Sequence, residues 1–196
     1  MRNLTFCLLF QTLKDALTGS DTSAADIFNA VSAQVALGAK PDGAAVSKAL
    51  QAALKKDDSL ANLGLAFRAA AAAASSASDA TAVFERVEDA IVQADEVDGR
   101  MLQFEGGLSV TSSIVTGAYA LASKAGKSEP GFKREQAVKF ANYFLSRKSV
   151  QTAKGGLALL EALSALADNK FYVPVAVTLV SAPAAAVVSL ESPKVS

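Results

Sequence analysis

The chain contains no histidine and no tryptophan, one cysteine, five prolines among 196 residues, and no excess of either charge. Each shortage closes a class of chemistry. Without histidine there is no Ser-His-Asp triad, no imidazole metal ligand and no side chain that ordinarily titrates near neutrality. A single cysteine, Cys7, leaves no internal disulfide, cysteine-based zinc site or iron–sulfur cluster. Nineteen basic side chains balanced by 19 acidic ones make no strongly basic chain, so no nucleic-acid partner is expected. No stretch approaches the ~20 apolar residues of a membrane-spanning helix. The longest apolar run near the end, Phe171 to Val180, is β-branched and carries Pro174.

The start of the chain is equally poor in signals. Met1 to Phe10 has a basic residue and a short apolar run, but Asn3 and Thr5 interrupt it. Gln11, Lys14 and Asp15 come next, without a small-residue cleavage pattern. The segment reads as the front of an amphipathic helix over Thr5 to Leu17, with a truncated start behind its oddity.

Alanine, by contrast, is abundant, at 41 residues of the 196. It loses no side-chain entropy on becoming helical, and it lets helices approach closely. Apolar residues then recur at helical spacing along most of the chain. One helix begins after Asp21 or Ser23 and carries Ile27, Phe28, Val31 and Val35, with Gly38 and Pro41 as stop signals. Asp42 caps the next, with Val46, Ala49, Leu50, Ala53 and Leu54 on one face. Asp58 opens a third, with Leu60, Leu63 and Phe67, and Asp79 caps a fourth reaching Ile91 and Ala94. After a polar segment at 95–100 and the pair Gly106-Gly107, a helix carries Ile114, Val115, Ala118, Tyr119 and Ala122. Pro130 precedes a helix with Val138, Phe140, Ala141, Phe144 and Leu145, and the last runs from about Ser149 to Asp168 with Leu157, Leu160, Leu163 and Leu166.

These elements pair as 23–55, 58–96 and 106–147, a recurrence in the range of two-helix solenoid repeats. The expected class is all-α: stacked antiparallel helix pairs in a solenoid-like array, with a short β segment at the C-terminus. Residues 1–170 read as the helical domain. At 171–196 the register changes: Phe171 to Val180 fits a strand, Ala184 to Leu190 a second, and together they read as the beginning of a truncated β domain.

Candidate chemistry is thin. Gly106-Gly107 and Gly155-Gly156 lack the flanking pattern of a phosphate loop and read as turns or close-packing points. The acidic group Glu85, Glu88, Asp89, Asp95, Glu96 and Asp98 lacks the alternation of a calcium loop and reads as a solvated face. Lys133, Arg134, Lys139, Arg147 and Lys148 interleave with Phe140, Tyr143 and Phe144, but the aromatics fit a core stripe better than a stacking platform. Asn3-Leu4-Thr5 is a glycosylation sequon, which makes Asn3 the one candidate modification position. Cys7 reads as a small buried hydrophobe. No catalytic, cofactor-binding or metal-binding residues assemble.

Several segments carry more than periodicity. Phe84-Glu85-Arg86-Val87-Glu88-Asp89 is succeeded by Asp98 to Leu108 with "LQFEGGL" at its end, then by "FLSRK" at 144–148, then by "DNKFYVPV" at 168–175. In this order and spacing, and with a looser fit upstream through Ile27 to Val31, the chain resembles the ribophorin II family over most of residues 21–190. The resemblance implies a non-catalytic subunit of the endoplasmic-reticulum oligosaccharyltransferase complex, supporting N-glycosylation on the lumenal face. It implies other subunits of that complex as partners and no cofactor. Membrane attachment would come only through segments absent from this chain. A soluble α-solenoid adaptor for a peptide or protein partner is the alternative from another class, and an α/α enzyme with paired carboxylates a remote third.

Overall fold

The computed structural model describes residues 21–171 continuously, together with 11–13, 15, 17 and 19. Helix α1 spans Ala24–Ala36 and starts where the sequence chemistry asks it to. The Ser23 hydroxyl accepts from the Asp26 N–H at 3.1 Å, and the Asp26 carboxylate accepts from the Ser23 N–H at 3.1 Å, closing a capping box. The Ser23 hydroxyl also holds the Asp26 carboxyl below its ordinary range. Gly38, at φ +77°, ends this helix. Asp42 caps α2, Gly43–Lys56, by accepting from the Ala45 N–H at 3.1 Å.

Helix α3, Leu60–Ala73, begins after Ser59 rather than at Asp58, whose carboxylate instead pairs with Arg86 at 3.1 Å. Two short helices come next where the periodicity suggests one: α4, Ala77–Phe84, and α5, Arg86–Ile91, separated at Glu85. Asp79 is not the cap of α4. Ser76 is, and Asp79 sits three residues later, its carboxylate reaching back to the N–H groups of Ser75 and Ser76 at 3.1 and 3.0 Å.

The polar segment at 95–100 is a β-hairpin. Strands β1, Asp95–Val97, and β2, Met101–Gln103, pair antiparallel across a turn in which Asp98 and Gly99 both have positive φ, +53° and +67°. That pair of dihedrals is the demand of the tight hairpin turn for which Asp-Gly is the usual dipeptide. The remaining helices are α6, Gly107–Lys124, then α7, Arg134–Ser146, and α8, Ala153–Ala167, which Thr152 caps at Gly155.

The helices stack in alternation. Helix α1 packs on α3, α3 on α6 and α6 on α8, forming one row. Helices α2 and α4 pack on each other, and β2 packs on α7. The architecture is all-α as expected, with an added hairpin, but the helices expected to pair over 106–147, α6 and α7, pack on α8 and on β2 more than on each other. One continuous core runs through it, from Ile27 and Val31 through Leu63, Phe67 and Ile114 to Phe104, Phe140 and Phe144. No helix among the described residues is long and apolar enough to cross a membrane. Gln11, Thr12, Leu13 and Asp15 are helical, in keeping with an early helix, whereas Asn3, Cys7 and the expected strands after Phe171 lie outside the described residues.

Candidate interaction surface

The charged groups singled out in the sequence are largely tied into the fold. Arg86 pairs with Asp89 at 2.8 Å as well as with Asp58, and Lys139 on α7 pairs with Glu96 on β1. Arg68 joins α3 to α8 through Glu161 at 3.1 Å and lies over the Phe28 ring at 5.2 Å. The acidic residues between 85 and 98 form no cluster suited to a cation among the described residues. Phe140, Tyr143 and Phe144 are buried, so the aromatics of the basic stretch belong to the core.

Each glycine pair has a use in the fold. Gly106 and Gly107, at φ +92° and +71°, turn the chain from β2 into α6, while the Phe104 N–H bonds the Thr111 hydroxyl at 3.0 Å. A β-carbon on Gly155 would collide with Val150, so that glycine is a packing point.

One opening in the surface is largely apolar. A groove of about 540 Å³ lies where the end of α6, the loop 128–132, α7 and α8 converge. Its walls include Tyr119, Phe132, Val138, Ala141, Leu163 and Leu166, and Glu129 and Arg134 are the charged residues among those lining it. Beyond it, Leu145 on α7 and Leu157 and Leu160 on α8 face solvent, the last at 68% exposure. Sequence periodicity puts Val138, Leu145, Leu157 and Leu160 on core stripes, and the structure corrects this. Helix α7 buries Phe140, Tyr143 and Phe144 instead, and α8 buries Leu159, Ala162 and Leu166. Residues 138, 141 and 145 are spaced i, i+3, i+7, and so mark a second apolar stripe on α7. One helix with two apolar stripes is the signal that sequence reading passed over.

Burial in the groove wall pushes the Tyr119 phenol up to about 12, where desolvation opposes the phenolate. The neutral form therefore favours the fold. Its contribution is whole below the free-phenol value near ~10 and is lost as pH rises through about 12. Alkaline absorbance titration is expected to show a phenol step near pH 12 that Tyr119→Phe removes. A titration unchanged by Tyr119→Phe above pH 11 or so would place the ring in water.

The surface offers an apolar cleft whose lining includes Glu129 and Arg134, and leucines exposed on the last helix. Comparison with known families places the chain. The Ribophorin II N-terminal domain model matches residues 8–167, which takes in all of α1 to α8.

Proposed function

The chain belongs to the ribophorin II family, and from that premise we propose that it serves as a non-catalytic accessory subunit of the oligosaccharyltransferase complex, on the lumenal face of the endoplasmic reticulum. The observation that carries the reading is the family match over 8–167. The character of the surface agrees with it. Ion pairs such as Arg68–Glu161 and Lys139–Glu96 brace one element against another, while leucines are left at the end of the stack. Exposed apolar residues grouped on one flank mark contact sites more often than chance. In this reading Leu157 and Leu160, on the outer face of α8, meet a neighbouring subunit. Residues 171–196 open a β domain that comes after the helical one.

The test is recovery of the complex. Tagged parent polypeptide carrying this domain, purified from detergent-solubilised microsomes, should bring the other oligosaccharyltransferase subunits with it. Leu157→Glu with Leu160→Glu should reduce that recovery while leaving the far-ultraviolet circular dichroism unchanged. A preparation free of the other subunits sinks the assignment, and undiminished recovery by the double variant moves the contact off α8.

A further inference from the structure

Helix α8 carries two apolar seams. Gly155, Leu159, Ala162 and Leu166 are buried and spaced i, i+4, i+7, i+11. Ala153, Leu157, Leu160, Ser164 and Ala167 are exposed, at i, i+4, i+7, i+11, i+14, with Leu157 at 59%. At about 3.6 residues per turn the two sets fall on nearly opposite sides of the helix. Steps of four and three in alternation keep side chains on one face along the whole helix, the arrangement by which one helix lies along another.

Helix α6 uses the buried seam in this way. The Ser112 hydroxyl donates to the Ala158 carbonyl at 2.6 Å, and a β-carbon on Gly155 would stand 3.7 Å from Leu108. Along the row, α3 lies between α1 and α6, and α6 between α3 and α8. Helix α8 has one row neighbour among the described residues, yet its far side repeats the seam. One edge of that outer seam is charged, by Lys154, Glu161 and Asp168 at successive heptad positions, and the other, at Gly156 and Leu163, is not. Glu161 is held by Arg68, whereas Lys154 and Asp168 join no ion pair among the described residues.

We propose that this outer seam seats an α-helix of a neighbouring polypeptide, with an acidic side chain of that helix opposite Lys154 and a basic one opposite Asp168. The proposal rests on the subunit role above and adds the kind of element that α8 receives. An antiparallel second copy of α8 would match these charges too, but area decides against it. A helix of 15 residues offers a strip of roughly 22 by 10 Å, a fraction of the ~800 Å² per partner of a standard interface. Two copies joined only by that strip would separate at micromolar concentration. A subunit that is also held elsewhere in a complex needs the seam for part of its contact only.

Site-directed crosslinking in the assembled complex tests this. Photoreactive benzoylphenylalanine replaces Ala153, Leu157, Leu160, Ser164 or Ala167, one per variant of the tagged parent polypeptide. All five positions are exposed, so the bulky substituent leaves the core alone. Irradiated microsomes should yield a crosslink to one other subunit about 10-fold or more above an unirradiated sample, since only a residue in contact reacts. The residues reached on that subunit from 157, 160 and 164 should stand three or four apart in its sequence, the mark of a helix. Sites two apart or scattered, or crosslinks to a second copy of the parent, would overturn the proposal. The 196-residue chain by itself should sediment as a monomer at micromolar concentration; a dimer that Leu160→Glu dissolves would overturn it too. The subunits recovered with the parent are scored before irradiation. Their absence defeats the subunit role and this proposal with it, while an intact complex without helically spaced crosslinks defeats this proposal alone.

Discussion

Phe140→Ala is expected to lower the unfolding free energy by about 3–5 kcal/mol, the range for removing a fully buried phenylalanine. The ring is at 0% exposure on the inner face of α7. It stacks on Phe104 at 5.4 Å and meets Phe132 edge-on at 5.6 Å, while Phe132 meets Tyr119 edge-on at 5.3 Å. Through these rings α7 is joined to the exit of the hairpin, to the loop before α7 and to α6. Alanine would leave a cavity that three separate elements would have to close together, and rigidly hydrogen-bonded segments close cavities poorly. Against a domain stability of about 5–15 kcal/mol, the loss puts the C-terminal half near its limit. Urea unfolding monitored by circular dichroism measures it. A change under about 1 kcal/mol would mean that α7 is not a working part of the core. Part of the loss is pairwise: a double-mutant cycle with Phe104→Ala should return a coupling of about 0.5–1.5 kcal/mol for the stacked rings.

The helices were legible because their boundaries are written in residues with one local purpose. Ser23, Asp42, Gly38 and the alanine-rich apolar stripes all act within a few positions of themselves. The features that escaped were decided at longer range. The division at Glu85 has no glycine or proline to announce it, and the residues after it continue the same apolar spacing. The hairpin has strands of three residues, too short to show alternation, although Asp98-Gly99 was a usable turn signal. Which stripe of α7 turns inward depends on where Phe104 and Phe132 stand, and no window along α7 contains them.

The segments that carried the family resemblance prove to be junctions of the fold. "LQFEGGL" spans the end of β2, the buried Phe104 and the left-handed Gly106, where a β-carbon would come within 2.6 Å of Val110. "FLSRK" is the end of α7, and "DNKFYVPV" begins at the Asn169 turn. A helix interior accepts many sequences; a turn with positive φ or a side-chain cap accepts few. The residues that carry the resemblance therefore sit where backbone geometry narrows the choice of side chain.

The same substitution, glycine to alanine inside a helix, is expected to act with opposite sign at two positions. At Gly156 in α8 an added β-carbon meets nothing within 4 Å, so Gly156→Ala should stabilise by about 0.4–1 kcal/mol through helix propensity and a less disordered unfolded chain. At Gly117 in α6 it would lie 2.6 Å from the Phe67 β-carbon and 3.2 Å from the Arg68 backbone nitrogen. Neither atom is the free end of a flexible side chain, so the whole of α3 would have to move. Gly64 on α3 meets the same limit from the other side, 2.9 Å from the Ser113 β-carbon. The Ser113 hydroxyl makes no hydrogen bond, so it is the small size of this side chain that the crossing uses. Overpacking costs about 1–3 kcal/mol, against about 1 kcal/mol of propensity gained, leaving Gly117→Ala a net loss of up to about 2 kcal/mol. Gly117→Leu adds three more carbons to the same gap and is expected to lose more than 3 kcal/mol or so, separating the two central helices α3 and α6. Thermal melts of the Gly117→Ala and Gly156→Ala chains should therefore move in opposite directions. If both rise, α3 and α6 are not held at this distance, and the alanine-rich surface between them is looser than its geometry requires.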